Sequence, residues 1–146
     1  KGIKLEEKWQ EALNKKNSNI KSALKDTYIE SNLKGLEDLI KNEKTKYFES
    51  KPSMATRQCS SVAIESISNI LPQLIGGSAD LSGSNNTKTN NSKVINSKNF
   101  DGNYIHYGVR EHGMASVMNG LALYSGLIPY GGTFLIFSDY CKPSIR

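Results

Sequence analysis

The sequence lacks most of the features that announce a function at sight. It has two cysteines in 146 residues, Cys59 and Cys141, at no CxxC or metal-like spacing. That excludes a disulfide framework and predicts reduced thiols in an intracellular protein. No apolar run approaches the length of a membrane-spanning helix, and the opening KGIKLEEKWQ has no signal-peptide core. There is no GxSxG elbow, no phosphate loop and no GxGxxG turn. His112 follows Glu111, but the pattern is not HExxH and no second ligand lies at helical spacing, so no metal site is expected. His106, between tyrosines, reads as structural.

What is present is unevenly distributed. The hydrophobic fraction is 37%, yet residues 1–51 are rich in Lys, Glu and Asn while residues 103–137 are nearly all apolar or small. The net charge of +5 allows an acidic partner such as a phosphorylated metabolite. The bases are scattered among acids with no aromatic-interleaved stripe, which argues against nucleic-acid binding. The chain starts without Met and stops at SDYCKPSIR, where a helix is starting. This predicts a piece of a longer protein, so a missing targeting sequence decides nothing about compartment.

Leu5, Trp9, Ala12 and Leu13 predict an amphipathic helix over 4–16. A second helix pattern passes through Ile20, Leu24 and Tyr28, and a third through Leu33, Leu36, Leu39 and Ile40. This basic helical region reads as a solvated surface or an interdomain linker. Pro52 marks a boundary, with Ser53 as a helix cap beyond it. The set Val62, Ala63, Ile67, Ile70 and Leu71 predicts a helix over 54–71, ended by Pro72. Leu74, Ile75 and the glycines Gly76 and Gly77 read as a short buried strand running into a loop that opens with SADLSGSN. The Asn/Ser/Lys tract over 85–100 reads as a mobile insertion without chemistry. Tyr104–Tyr107 reads as a strand, Gly108 as a turn, and Arg110–Tyr124 as a helix ended at Gly126. Met114, Val117, Met118, Leu121 and Ala122 line one face of that helix. Ile128–Phe137 reads as a strand broken at Gly131 and Gly132, and Ser138 onward as the next helix. Such alternation argues an α/β fold with a largely parallel sheet.

In such sheets ligands bind where the chain leaves the carboxyl ends of the strands. GGSADLSGSN, YGVRE and YGGTFLIFSDY all leave strands in this way. They would gather Asp80, Ser82, Ser84, Glu111, Phe134, Phe137 and Tyr140 along one edge. Read alone, each residue has an ordinary alternative. Glu111 suits the positive end of a helix dipole, the three-apart rings suit core packing, and Arg57 suits a solvated cation or a partner to a carboxylate. Residue chemistry by itself supports an α/β ligand-binding domain with an aromatic and carboxylate site.

Four motifs in order go further. ATR at Ala55–Arg57, GGSADL at Gly76–Leu81, GNYIHYGVREHGM at Gly102–Met114 and PYGGTFLIFSDY at Pro129–Tyr140 together resemble the transketolase family. The resemblance implies an α/β, partial parallel-sheet domain that binds the pyrimidine of thiamine diphosphate. It places residues 52–146 in the N-terminal part of that domain and residues 1–51 in the helical linker from a diphosphate-binding domain absent here. It implies transfer of a two-carbon ketol unit from a ketose phosphate to an aldose phosphate, in the pentose phosphate pathway. Related possibilities are a formaldehyde-using relative, the dihydroxyacetone synthases, and a non-catalytic binding module. By the same resemblance Glu111 is the catalytic glutamate, hydrogen-bonded to the aminopyrimidine ring nitrogen. Phe134, Phe137 and Tyr140 form the ring-lined pocket, Asp80 contacts the cofactor, and Arg57 and Ser84 bind sugar phosphate. The divalent cation (Mg or Ca) would be held by the absent domain, in a homodimer that shares its sites between subunits. No nucleic-acid or membrane partner is implied; the expected compartment is the cytoplasm, with organellar targeting left open. Ser82-Gly83 stands where the family usually has Thr-Pro, and Cys141 where it has another small or apolar residue, read here as packing.

Overall fold

A computed structural model describes residues 2–28 and 35–146. They fall into two compact units, Lys1–Asn32 and Leu33–Arg146. Leu33, part of the third helix pattern, lies outside the described residues.

The first unit holds two helices, α1 (Gly2–Asn14) and α2 (Ser18–Tyr28). Asn17 starts α2 by accepting a hydrogen bond from the Ile20 N–H, so one otherwise orphaned helical donor is satisfied. Leu5 and Trp9 of α1 are exposed.

The second unit begins with α3 (Leu36–Ser50) and α4 (Thr56–Ser68). Lys51 closes α3 in a left-handed conformation, its N–H donating to the Tyr47 carbonyl, and Pro52 follows. The cap of α4 is not Ser53. Ala55 stands at that position, and the Gln58 side chain reaches back to accept from the Ala55 N–H. Nor does α4 extend to Leu71: it ends at Ser68, and Leu71 is buried beyond it in the turn that leads to the first strand.

Three strands make one all-parallel sheet in the order β2-β1-β3, with β1 (Leu74–Ser78) in the centre, β2 (Tyr104–His106) and β3 (Ile128–Gly132). Gly76 and Gly77 belong to β1, as expected, and the strand runs one residue further, to Ser78. Close approach explains why glycine stands there. A Cβ on Gly77 would run into the Ile105 carbonyl of β2, and one on Gly76 into the Tyr130 ring of β3. Strand β3 stops at Gly132, earlier than expected. The chain then passes through Phe134 into a 3-10 turn at Leu135–Phe137, and into α7 (Ser138–Ile145).

Helix α6 (Glu111–Tyr124) lies against β3 with Met114 and Met118, whose sulfur atoms occupy the space above Gly131. The packed face is narrower than the sequence pattern suggested, since Val117 and Ala122 are exposed. The core at the carboxyl edge of the sheet is built from Ala79, Tyr107 and Met114, with Ile105 and Met118 packed against it.

The Asn/Ser/Lys tract follows a defined course, contrary to its composition. Thr87 and Thr89 are buried. The Thr87 hydroxyl donates to Asn85 Oδ1 and shares a hydrogen bond with the Tyr104 hydroxyl. Asn90 N donates to Glu65 of α4, and Val94 bridges to Tyr104 in parallel. Short polar side chains that bond to nearby backbone and to each other replace the apolar contacts such a tract cannot make. No helix among the described residues is long and apolar enough to cross a membrane.

Candidate functional site

The three loops leaving the carboxyl ends of β1, β2 and β3 converge on a cavity of about 520 Å³. Asp80 and Leu81 line it from the first loop, Val109 and Glu111 from the second, and Phe137 and Tyr140 from the third. Parallel strands place all three exits on one side, so residues far apart in sequence meet there.

Glu111 opens α6 and is buried at 8% exposure. The turn before it is set by Gly108, at φ +68, and by Arg110, whose Nη1 donates to the Tyr107 carbonyl at 2.9 Å. Arg110, without an assignment from sequence, therefore braces the turn that delivers Glu111. No hydrogen bond or ion pair reaches the Glu111 carboxylate among the described residues. Glu111 sits in the favoured first helical turn and also lines the cavity. Glu111 is buried as a residue while it lines the cavity, and a ligand that offers a nitrogen there would give its carboxyl a partner.

Asp80 lines the same cavity, is exposed and holds a left-handed backbone, φ 65. Aspartate tolerates this conformation better than most residues, at a cost that marks functional turns. The turn is tied down by Ser78, whose hydroxyl accepts from the Leu81 N–H at 3.1 Å.

The aromatic residues form a ladder rather than core. Phe134 and Phe137 stack at 5.9 Å with 15° between their planes, and Phe137 and Tyr140 at 6.2 Å with 30°. Phe134 is 42% and Tyr140 65% exposed, which rules out the core-packing alternative within this chain. The rings are spaced by an extended residue, a 3-10 turn and a first helical turn, not by one continuous helix. Phe137 and Tyr140 line the cavity; Phe134 stacks behind Phe137 without lining it. Ring faces beside a partnerless carboxyl suit a flat nitrogen heterocycle.

The remaining sequence candidates lie outside this cavity lining. Ser82 shares a 2.6 Å hydrogen bond with the Tyr104 hydroxyl, so its hydroxyl is engaged in the fold. Ser84 is exposed on the short helix α5 (Ser82–Asn85), and Arg57 is exposed in the first turn of α4. Neither makes a side-chain bond among the described residues. His106 packs edge-on against the Tyr104 ring at 5.2 Å, in keeping with a structural role. His112 Nδ1 meets the Ser144 hydroxyl at 3.1 Å, part of a polar seam between α6 and α7 that sequence spacing could not reveal. Ser116 and Asn119 complete it, also through Ser144. Cys141 is buried, and its thiol is pushed up by burial first and by the Glu111 charge second. No group of three metal-ligating side chains occurs among the described residues. A second cavity, about 430 Å³ between α3 and α4, is lined mainly by apolar side chains such as Leu39, Val62 and Ile67, with Glu43, Lys44 and Ser66 also on its wall.

Residues 52–146 match the family model described as the transketolase pyrimidine binding domain. A transketolase of Cereibacter sphaeroides is 55% identical over 95 residues, covering 65% of this chain and 14% of the relative. One from Sinorhizobium medicae (strain WSM419) is 57% identical over 93 residues, 64% of this chain and 13% of the relative. The chain thus spans about a seventh of the length of these curated relatives. Among solved structures, the Pichia stipitis transketolase in complex with sedoheptulose 7-phosphate superimposes with a TM-score of 0.63 at 40% identity, over 65% of this chain and 15% of that one. The transketolase of Campylobacter jejuni subsp. jejuni NCTC 11168 superimposes over 98% of this chain and 20% of its own, with a TM-score of 0.75 at 31% identity. By the family match over most of its length, this chain belongs to the transketolase pyrimidine-binding-domain family.

Proposed function

We propose that this chain supplies the pyrimidine-side half of the active site of a thiamine-diphosphate-dependent transketolase. The observation that carries the reading is Glu111, a buried residue whose carboxyl has no partner among the described residues, lining the same cavity as Phe137 and Tyr140. An aminopyrimidine offers what that wall lacks: a flat face for the rings and a ring nitrogen for the carboxyl. Bound there, thiamine diphosphate supplies the carbanion-stabilising chemistry that breaking a carbon–carbon bond next to a carbonyl requires.

The chain's own residues do the rest. Glu111 holds a proton between its carboxyl and the ring nitrogen. Phe137 and Tyr140 fix the plane of the ring, with Phe134 stacked behind, and Asp80 contributes a carboxylate to the same cavity. Arg57 and Ser84 serve the sugar phosphate, the guanidinium and the hydroxyl both suited to phosphate oxygens. Their exposure and lack of side-chain partners leave them available for that role. Residues 52–146 then form the N-terminal part of the pyrimidine-binding domain, and residues 1–51 the helical linker before it. The diphosphate and a divalent cation, Mg or Ca, fall to another domain of a cytoplasmic homodimer that acts on the sugar phosphates of the pentose phosphate pathway.

The test uses the full-length protein. Titration with thiamine diphosphate and magnesium should give saturable binding, and ketol transfer from a ketose phosphate to an aldose phosphate should depend on both. Transfer to formaldehyde in preference to an aldose phosphate would favour a dihydroxyacetone-synthase-like activity. No binding and no transfer would leave a non-catalytic module.

A further inference from the structure

Ser78, the last residue of β1, touches every loop that carries a proposed site residue. Its side chain is fully buried, at 0% exposure. The hydroxyl donates to the Gly132 carbonyl at the end of β3, at 3.0 Å. It accepts from the Leu81 N–H at 3.1 Å, which closes the turn holding Asp80. It also accepts from Asn85 Nδ2 at 3.0 Å, which ties down the helix α5 that carries Ser84. One donated and two accepted bonds use the whole capacity of a hydroxyl. The Ser78 carbonyl in turn accepts from the Tyr107 N–H at 3.1 Å, at the start of the turn to Glu111.

We propose that Ser78 is a positioning residue that couples the cofactor wall to the sugar-phosphate wall by fixing Asp80 and Ser84 to one buried hydroxyl. The inference rests on the functional reading above. Alanine at this position removes the buried hydroxyl, so the Leu81 N–H and Asn85 Nδ2 both lose the acceptor that holds them together. The Gly132 carbonyl keeps a partner in the Ala79 N–H at 3.1 Å, so β1 and β3 stay joined. The loss therefore falls on the Asp80 turn and on α5, the two elements that face ligands.

The experiment compares wild type, Ser78→Ala and Asn85→Ala in the full-length protein, measuring Tm, the Kd for thiamine diphosphate with magnesium, and the KM for the sugar-phosphate donor. Ser78→Ala should raise both constants about tenfold, the effect of losing one or two buried hydrogen bonds. Asn85→Ala cuts the α5 branch, together with the Thr87 hydroxyl's bond to Asn85 Oδ1, but leaves the Leu81 branch intact; it should raise KM about fivefold while the cofactor Kd stays at the wild-type value. A serine with a merely structural role would lower Tm and leave both constants unchanged below the melt, which would overturn the proposal. Should Ser78→Ala fail to fold, the half-buried Asn85 decides: raised KM at constant Kd supports the coupling, and no change in either refutes it. A wild-type protein with neither cofactor binding nor ketol transfer would instead bring down the functional reading, and this inference with it.

Discussion

Cys141 of α7 is buried beside Glu111 of α6, close enough that the carboxylate raises the thiol's pKa beyond what burial alone does. A raised pKa means less thiolate at neutral pH, and the thiolate is the reactive species. Glu111→Gln removes the charge and leaves the burial. We expect the Cys141 pKa to fall toward its ordinary value, with faster alkylation between pH 7 and about 9. The rate at the Cys141 peptide, followed by mass spectrometry across pH, measures this directly. An unchanged rate profile would separate the two side chains.

The Tyr107 hydroxyl is buried with no hydrogen-bond partner among the described residues, and burial pushes its pKa up. Leaving a buried donor unsatisfied costs roughly 1–3 kcal/mol. Tyr107→Phe should therefore be neutral or stabilising by about 1 kcal/mol in urea denaturation, whereas an ordinary aromatic truncation destabilises. A clear loss of stability would reveal a partner for the hydroxyl.

Tyr130 is pushed up to about 12, by burial first and then by its neighbour Tyr104. The folded value lies above the unfolded value of 10.0, so the folded state keeps a proton that the unfolded state releases. Its contribution is complete below pH 10 and is lost as pH rises from about 10 through about 12. The denaturation midpoint should fall over that window and fall less steeply in Tyr130→Phe. That variant also loses the hydrogen bond to the Thr87 carbonyl, so it should start from a lower midpoint at neutral pH.

Gly77 and Gly120 make a matched pair. A Cβ at Gly77 meets backbone of β2, which cannot move aside, whereas one at Gly120 meets nothing. Gly77→Ala should cost about 1–3 kcal/mol or more and lower Tm accordingly. Gly120→Ala, in the interior of α6, should gain about 0.5–1 kcal/mol from reduced backbone entropy in the unfolded chain. Equal effects at both positions would contradict the close approach of β1 and β2.

Much of this arrangement was legible in the residue order. The alternation of short apolar runs with helical periods gave the parallel sheet, and the strand exits gave Asp80, Glu111, Phe137 and Tyr140 as neighbours. What pattern could not show follows from the size of tertiary terms. The glycines of β1 were legible as strand, but not the reason for them: the two flanking strands admit nothing larger. The polar tract read as mobile because it offers little to bury. Thr87, Ser82 and Asn85 instead form a hydrogen-bonded cluster with Tyr104 of β2, a strand well along the chain from them. Ser53 has the chemistry of a cap, but Gln58 lies three residues after Ala55, which made Ala55 the better start. Ser78 carries no sequence signal of its own beyond membership of GGSADL. Its importance is visible only once the loops from all three strands are seen to meet it.

The central claim is that Glu111 is the catalytic carboxyl of a ketol transferase, and one comparison tests it most directly. Turnover of full-length wild type and Glu111→Ala is measured with saturating thiamine diphosphate and magnesium, alongside Tm. The expected result is a fall in kcat of about 10²–10⁴-fold, the range for loss of a general acid–base group, with the fold retained. Near-wild-type turnover in a folded Glu111→Ala protein would contradict the account.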